Sequence, residues 1–221
     1  MNHLLIPTKL IRVKRRSIAL IVNNKGEFIV RAPLRAKDSE IWAFIAKKQD
    51  WIIEKRTKAQ TNAIKFKLDL ADDQIFNMFG KQYVVKLECC KTAKIIDEKL
   101  ILPVNEPKKF LINLLKRELK KYLVKRVEEI ATIYQFEYKS ISITSARTSW
   151  GSCGGRNTLN FSFNLAMCPL PVIDYIIVHE LCHTKIKNHS AKFWNMVKQI
   201  MPEYKVCEKW LKDNRAIVNY I

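Results

Sequence analysis

Residues 179–189 read His-Glu-Leu-Cys-His-Thr-Lys-Ile-Lys-Asn-His and contain three of the four histidines in the chain. Residues four apart lie on one face of an α-helix, so His179 and His183 can reach the same metal ion. His189 is the candidate third ligand, and Glu180 follows the first histidine directly. Three protein ligands and one open position are typical of a catalytic zinc ion. The stretch therefore predicts one Zn²⁺ ion bound by His179, His183 and His189, with Glu180 as the general base.

The segment before these histidines must be helical for the ligands to meet. Residues 172–178 are rich in β-branched side chains, and propensity alone would favour a strand. The spacing of the histidines favours a helix instead, and Pro169 and Pro171 suit a first helical turn. We expect this helix to end near Lys187, with Asn188 in the left-handed conformation that turns His189 back toward the ion. Further helices are expected from Ser190, as a capping residue, to about residue 200, and from about 203 to 214.

Composition places the chain among globular proteins. It has 221 residues, 48% of them hydrophobic, and no apolar run approaches the ~18 residues of a membrane span. The first residues lack the long apolar segment and cleavage site of a signal peptide, so we expect a cytoplasmic protein and no membrane partner. Six cysteines without a C-x-x-C pair predict reduced, mostly buried thiols.

The net charge of +19 is distributed along the chain and predicts a basic surface. Such a surface attracts polyanions, and nucleic acid is the most abundant candidate partner. A lysine-rich chain solubilised by its surface charge is an equally good interpretation, since no nucleic-acid motif accompanies the charge.

The first hundred residues predict a β-rich part with one helix. Two proline residues bracket a polar stretch near residues 102–107, which predicts a domain boundary there. The chain then divides into an N-terminal domain, 1–105, and a C-terminal domain, 106–221. In the N-terminal domain we expect strands at 16–22 and 27–31, joined by a turn at 23–26. A helix capped by Asp38 and Ser39 should then run to about Thr57. A hairpin around Gly80 and Lys81 and a strand that ends near Pro103 should follow.

The C-terminal domain begins with apolar residues at helical spacing between 108 and about 134, which predict a long amphipathic helix. Strands follow at 139–144 and 158–164. Three of the five glycines of the chain lie between them, at 151, 154 and 155, where the backbone must turn sharply or approach another group closely.

Several motifs of this domain together resemble the YgjP-like metallopeptidase family. They are residues 146–153 (Ala-Arg-Thr-Ser-Trp-Gly-Ser-Cys), Leu159-Asn160, residues 173–175 leading into the histidine stretch, and Asn188-His189-Ser190 with Phe193-Trp194. Metzincins have glycine where this chain has Ile186, and SprT-like proteases usually separate the second and third histidines further. Family members often carry a basic residue where this chain has Ser149, which leaves substrate preference open.

The resemblance implies an α+β fold. It consists of a zincin-like catalytic unit, made of a small antiparallel sheet, a supporting helix and the metal helix, behind an N-terminal β-rich part. It also implies a zinc metallopeptidase that acts on peptide or protein substrates, with His179, His183 and His189 as ligands and Glu180 as the general base. Trp150, Asn160 and Tyr204 are the candidate substrate-binding residues.

The expected mechanism is hydrolysis of a peptide bond by Glu180-assisted attack of zinc-bound water. The strand near residues 159–163 is either an edge on which an extended substrate pairs or an ordinary inner strand. Tyr175 and Tyr204 are candidates for stabilising the oxyanion, and Asp174 either orients a ligand or caps the helix. Two other functions stay open. One is a metal-dependent nucleoside triphosphate pyrophosphatase or phosphohydrolase, and the other is a nucleic-acid-associated protein with a structural zinc.

Overall fold

The computed structural model describes residues 5–23, 26–65, 70–146, 148–215 and 217, without the side chains of 60–65. The chain divides into two compact units, the first ending at residue 67 and the second beginning at residue 68. The sequence-based boundary between 105 and 106 falls inside the second unit and stays a prediction. Residues 24 and 25 of the expected turn, and Arg147 of the 146–153 motif, lie outside the described residues.

The first unit combines a small sheet with two helices. Its strands are β1 (Lys9–Val13), β2 (Ala19–Val22) and β3 (Phe28–Pro33), in the order β1-β3-β2. The predicted hairpin is confirmed, since Val22 pairs with Phe28 in an antiparallel register. Alternate residues of β3 point into a core shared with the helices, because side chains of a strand alternate between its faces. That core contains Phe28, Val30, Ala32, Ile41, Ile45 and Ile52.

The single helix expected after Asp38 is two helices, α1 (Asp38–Lys47) and α2 (Gln49–Lys65). The chain leaves α1 at Lys48, whose N–H bonds to the carbonyl oxygen of Ile45 in a tightened last turn. The predicted capping by Asp38 and Ser39 is also wrong, because the N-cap residue is Lys37. The Glu40 carboxylate accepts the Lys37 N–H at 3.0 Å.

The second unit opens with a four-stranded sheet. Its strands are β4 (Ile75–Met78), β5 (Lys81–Glu88), β6 (Lys94–Ile96) and β7 (Lys99–Pro103), in the order β4-β5-β7-β6. The hairpin at Gly80 and Lys81 is confirmed, and Gly80 has the positive φ of 77° that its turn requires. The β6 strand was not predicted.

The long helix α3 (Pro107–Tyr134) follows and matches its prediction closely. Its apolar stripe is core, with Leu111, Leu115, Leu119 and Leu123 fully buried, whereas Tyr134 at the end of the stripe is exposed. Leucines every four residues form one face, and this face supports the elements that follow.

A second sheet and three helices complete the unit. The strands are β8 (Ser140–Thr144), β9 (Gly151–Cys153) and β10 (Thr158–Ser162), and a short 3-10 helix (Phe163–Met167) leads on to α4 (Leu170–Lys185), α5 (Ala191–Ile200) and α6 (Tyr204–Asp213). The order is β8-β10-β9, with β8 parallel and β9 antiparallel to β10. The interpretation of residues 159–163 as a substrate-binding edge is therefore wrong, because β10 is the central strand. The edge next to it is β9, formed by the glycine-rich stretch.

The α+β fold class is confirmed, and the second unit contains the expected supporting helix α3 and the helix α4 that bears His179 and His183. Its small sheet is mixed and not antiparallel as expected, because β8 runs parallel to β10. Residues 172–178 are helical despite their β-branched side chains, and most of them are buried. All six cysteines are unpaired thiols, and three of them are buried. No helix among the described residues is long and apolar enough to cross a membrane.

Candidate metal and catalytic site

The three clustered histidines come from the end of α4 and the loop after it. His179 and His183 lie one turn apart on α4, and His189 lies between α4 and α5. The helix ends at Lys185, because Ile186 adopts an extended conformation with φ −130° and ψ 106°. The predicted left-handed Asn188 is wrong, since Asn188 is not among the residues with positive φ. Its side-chain oxygen accepts the N–H of Ser190 at 3.3 Å instead.

The Nε2 atoms of these histidines form a compact triangle. They lie 3.2 Å apart for His179 and His183, 3.2 Å for His183 and His189, and 3.1 Å for His179 and His189. Tetrahedral zinc with bonds of about 2.0–2.1 Å separates its nitrogen ligands by roughly 3.3–3.4 Å. The three histidines can therefore hold one metal ion.

Their surroundings favour neutral imidazoles, the form that binds metals. The Nδ1 atom of His183 lies 2.9 Å from the Ile186 carbonyl oxygen, and donation there leaves the Nε2 lone pair pointing into the triangle. Burial, with a smaller contribution from the neighbouring histidines, lowers the pKa of His179 to about 3. Burial also lowers the pKa of His183. A cationic ring here would lose hydration and repel its neighbours.

Aromatic rings surround the triangle on the α5 side. Phe193 stacks on His183 with ring centroids 4.4 Å apart, and Trp194 lies 5.7 Å from His189. Tyr204 stacks on Trp194 at 5.5 Å, and Tyr175 stacks on Tyr204 at 6.2 Å. These contacts hold the ligand rings in place from one side. Ser190 is the N-cap residue of α5 as predicted, but its side chain makes no capping hydrogen bond.

Glu180 points to the other side, against β9. Glu180 is only 4% exposed, and burial raises its pKa to about 7. A Cβ atom on Gly151 would lie 2.8 Å from Oε1 of Glu180, 2.9 Å from its Cγ and 3.0 Å from a methyl group of Ile176. The absent side chain at residue 151 thus leaves the space that the Glu180 carboxylate occupies.

Lys187 joins the ligand loop to the turn between β9 and β10. Its ammonium group donates to Oδ1 of Asn157 at 2.7 Å and to the carbonyl oxygen of Gly154 at 3.4 Å, and it lies 3.7 Å from the Cys153 sulfur. Sequence reasoning missed this residue, because a single lysine between two ligands gives no signal of its long-range partners. Cys182, next to His183 in the chain, is fully buried and outside the triangle.

Asp174 performs neither of the roles considered for it. It lies in the second turn of α4 and faces α3, where its carboxylate accepts the Tyr122 hydroxyl at 2.6 Å and Nε of Arg126 at 3.1 Å. It therefore ties α4 to the supporting helix instead of orienting a ligand or capping the helix.

The three candidate substrate-binding residues lie on different elements. Trp150 is half-buried just before β9, and its carbonyl oxygen accepts the N–H of Ser162. Asn160 is on β10 opposite Ser152, and its side-chain amide lies 3.4 Å from the Ser152 hydroxyl. Tyr204 begins α6 and is nearly buried under Trp194.

A known protein family matches most of this chain. The model of the YgjP-like metallopeptidase domain matches residues 16–214. Among solved structures, the metallopeptidase zymogen abylysin of Pyrococcus abyssi is similar, with 21% identity, a TM-score of 0.38, and coverage of 40% of this chain and 90% of abylysin. The chain has no significant match among curated proteins. Because the family model spans most of its length, the chain belongs to the YgjP-like metallopeptidase family.

Proposed function

We propose that this protein is a zinc-dependent metallopeptidase whose metal ligands are His179, His183 and His189 and whose general base is Glu180. The observation that carries the proposal is the Nε2 triangle with sides of 3.1–3.2 Å, with Glu180 buried beside it on the same helix. Three imidazoles fit one zinc ion and leave the fourth position open for water or substrate. When bound, zinc acts as a Lewis acid toward the scissile carbonyl and lowers the pKa of water.

Glu180 is the residue that moves the proton. Its carboxylate follows the ligand His179 directly, and its buried position keeps bulk water from competing for the proton. Burial raises the pKa of Glu180 in the metal-free protein, and a carboxylate at this position can accept a proton and return it to the leaving amine. General-base catalysis of this kind contributes about 10²–10⁴-fold to the rate.

The substrate is proposed to lie along β9. This strand pairs with β10 on one side, and Gly151 brings its backbone against Glu180. An extended peptide added to an edge strand gains main-chain hydrogen bonds, which bind it with little dependence on sequence. Trp150 and Asn160 flank this edge and are the proposed substrate contacts. Tyr204 is a weaker candidate, because its ring is stacked between Trp194 and Tyr175.

No comparable observation supports a phosphohydrolase or a nucleic-acid-associated protein with a structural zinc. A phosphoanhydride substrate needs cations that reach the metal site, and the ammonium group of Lys187 is held by Asn157 and Gly154. A structural zinc is usually closed by four ligands, whereas the described residues place three donor groups together here. A location in the cytoplasm, association of the basic surface with nucleic acid, and a catalytic domain comprising residues 106–221 stay proposals based on the sequence.

The test compares the zinc-loaded wild type with Glu180→Gln, which keeps the size of the side chain and removes the base. We expect the wild type to cleave an unfolded protein and the variant to lose about 10²–10⁴-fold in rate while both bind one equivalent of zinc. Cleavage of nucleotides but not peptides by the wild type would contradict the peptidase proposal. Equal activity of the two proteins would remove Glu180 from the mechanism, and tight zinc binding without any hydrolysis would favour a structural metal.

A further inference from the structure

The sheet next to the metal site has a second edge, formed by β8, on the side away from β9. β8 pairs with β10 in parallel, from Ser140 with Thr158 to Thr144 with Ser162. No other strand of the described chain pairs with β8. Alternate backbone N–H and C=O groups of β8 therefore point away from the sheet, and such an edge is a template for an added strand.

A groove of about 460 Å³ runs beside this edge. One wall is formed by Ile141, Ser142 and Ile143 of β8, and the other by Lys116, Arg117 and Lys120 of α3. The groove thus combines an open strand edge with a row of cations.

Two of these cations are available to a ligand. Arg117 forms an ion pair with Glu118 at 2.8 Å. Within the described part of the chain, neither Lys116 nor Lys120 has a carboxylate at ion-pairing distance. The Lys116 side chain lines the groove, and its ammonium group lies 5.7 Å from the ring centroid of Phe163.

The spacing of the lysines suits an extended peptide. Lys116 and Lys120 are four residues apart on a helix, which corresponds to about 6 Å along its axis. Alternate side chains of a strand are separated by about 6.7 Å and point to the same face. We propose that β8 and α3 bind an extended acidic peptide segment as a fourth strand of the β8-β10-β9 sheet, with carboxylates at alternate positions meeting Lys116 and Lys120.

A peptide fits this surface better than a nucleic acid. Peptide N–H and C=O groups can pair with the β8 edge, whereas a sugar-phosphate backbone cannot form that ladder. Single-stranded nucleic acids also rely on exposed aromatic rings for stacking, and none of the residues that line this groove is aromatic. The inference is independent of the proposed function, because none of these residues belongs to the metal site.

The first experiment measures binding of a fluorescent peptide of alternating Glu and Val to the full chain carrying Glu180→Gln, which prevents cleavage. We expect Lys116→Glu combined with Lys120→Glu to weaken binding at least about 10-fold. The matched control is Lys205→Glu with Lys209→Glu, which makes the same charge change at the same spacing on the exposed face of α6. That control is expected to change affinity less than about 3-fold. Equal weakening by both pairs would show general charge attraction and overturn the proposal.

The second experiment uses the unaltered groove and two peptides of the same sequence. One is N-methylated at the Glu positions and the other at the Val positions, so both keep their charge. Strand pairing uses alternate N–H groups, so one of the two must lose most of its affinity. Retained binding of both peptides would overturn the proposal even if the lysine variants were unstable. A single-stranded oligonucleotide of equal charge that binds more tightly, and depends on the same lysines, would also overturn it in favour of nucleic acid.

Discussion

The two ends of α4 each place one carboxylate in the interior, and they use it differently. Near the start, Asp174 receives hydrogen bonds from Tyr122 and Arg126 of α3. Near the end, Glu180 is more deeply buried, and among the described residues none donates a hydrogen bond to it. One helix therefore anchors the fold with a compensated charge and holds a second, uncompensated carboxylate beside the three histidines.

The two carboxylates differ in whether a cation lies beside them. The Asp174 carboxylate forms an ion pair with the Arg126 guanidinium at 3.0 Å, so a cation compensates it. No cation among the described residues shifts the pKa of Glu180, and burial therefore favours its protonated form. Holding this group in a folded protein costs stability at neutral pH, and carboxyl groups with raised pKa values of this kind cluster at functional sites.

The largest expected effect of this difference is a pH dependence of the unfolding free energy of the metal-free protein. The folded-state pKa of Glu180 is about 7 against 4.5 for an ordinary glutamate, so its protonated form stabilises the fold below pH 4.5. This contribution is lost as the pH rises through 7. Relative to Glu180→Gln, the wild type is expected to lose up to about 3 kcal/mol of unfolding free energy over that interval.

Urea unfolding of both metal-free proteins at several pH values between 4.5 and 8 measures this difference. The histidine titrations occur in both proteins and cancel. A constant difference across the range would mean that Glu180 is not desolvated, and the contrast with Asp174 would disappear.

A second effect concerns the space next to Glu180. Gly151→Ala places a methyl group 2.8 Å from its Oε1 and 2.9 Å from its Cγ, so the carboxylate must move. We expect peptidase activity to fall about 100-fold, because displacements of about 1 Å at a reacting group have effects of that size. Zinc binding should be unchanged. Gly155→Ala is the matched control, since a Cβ there meets nothing within 4 Å. Similar losses in both variants would show a general effect on the loop.

The third effect tests Asp174 as an anchor. Asp174→Asn removes the ion pair with Arg126, and we expect a loss of about 2 kcal/mol in unfolding free energy. The Arg126 side chain is 37% exposed, which keeps the loss below that of a fully buried pair. Zinc stoichiometry should stay at one. Glu118→Gln, which removes exposed ion pairs of the same helix α3, should cost less than about 1 kcal/mol. If Asp174→Asn instead removed zinc binding at constant stability, the assigned roles of the two helix ends would be wrong.

The smallest effect concerns the loop that follows α4. Lys187→Met removes the contacts with Asn157 and Gly154, so the loop bearing His189 loses a support. We expect zinc affinity to fall about 10-fold, the lower end of the range for groups that position metal ligands. Lys185→Met is the control, because the Lys185 ammonium contacts Tyr134 and Phe136 instead. Competition with a chelating dye measures both affinities, and equal values for the two variants would rule out a positioning role for Lys187.

Local patterns predicted much of this architecture. The helix 108–134, both hairpins and the helical state of residues 172–178 followed from apolar periodicity, turn residues and histidine spacing, which act within a few residues. The errors have a common cause. Helix α1 ends at Lys47, within a stretch expected to be one helix. Helix α4 ends because Ile186 is extended, and not because Asn188 is left-handed as expected. Both depend on what the chain packs against after the helix ends.

The sequence alone determined which side chains meet at the site, because a helix brings residues four apart to one face. Tertiary structure decided how those groups are held. Three contacts join residues about 30 or more positions apart. They are Lys187 with Asn157, Asp174 with Arg126, and Glu180 with the space left at Gly151. Such contacts depend on how strands and helices pack, and no local pattern specifies that packing.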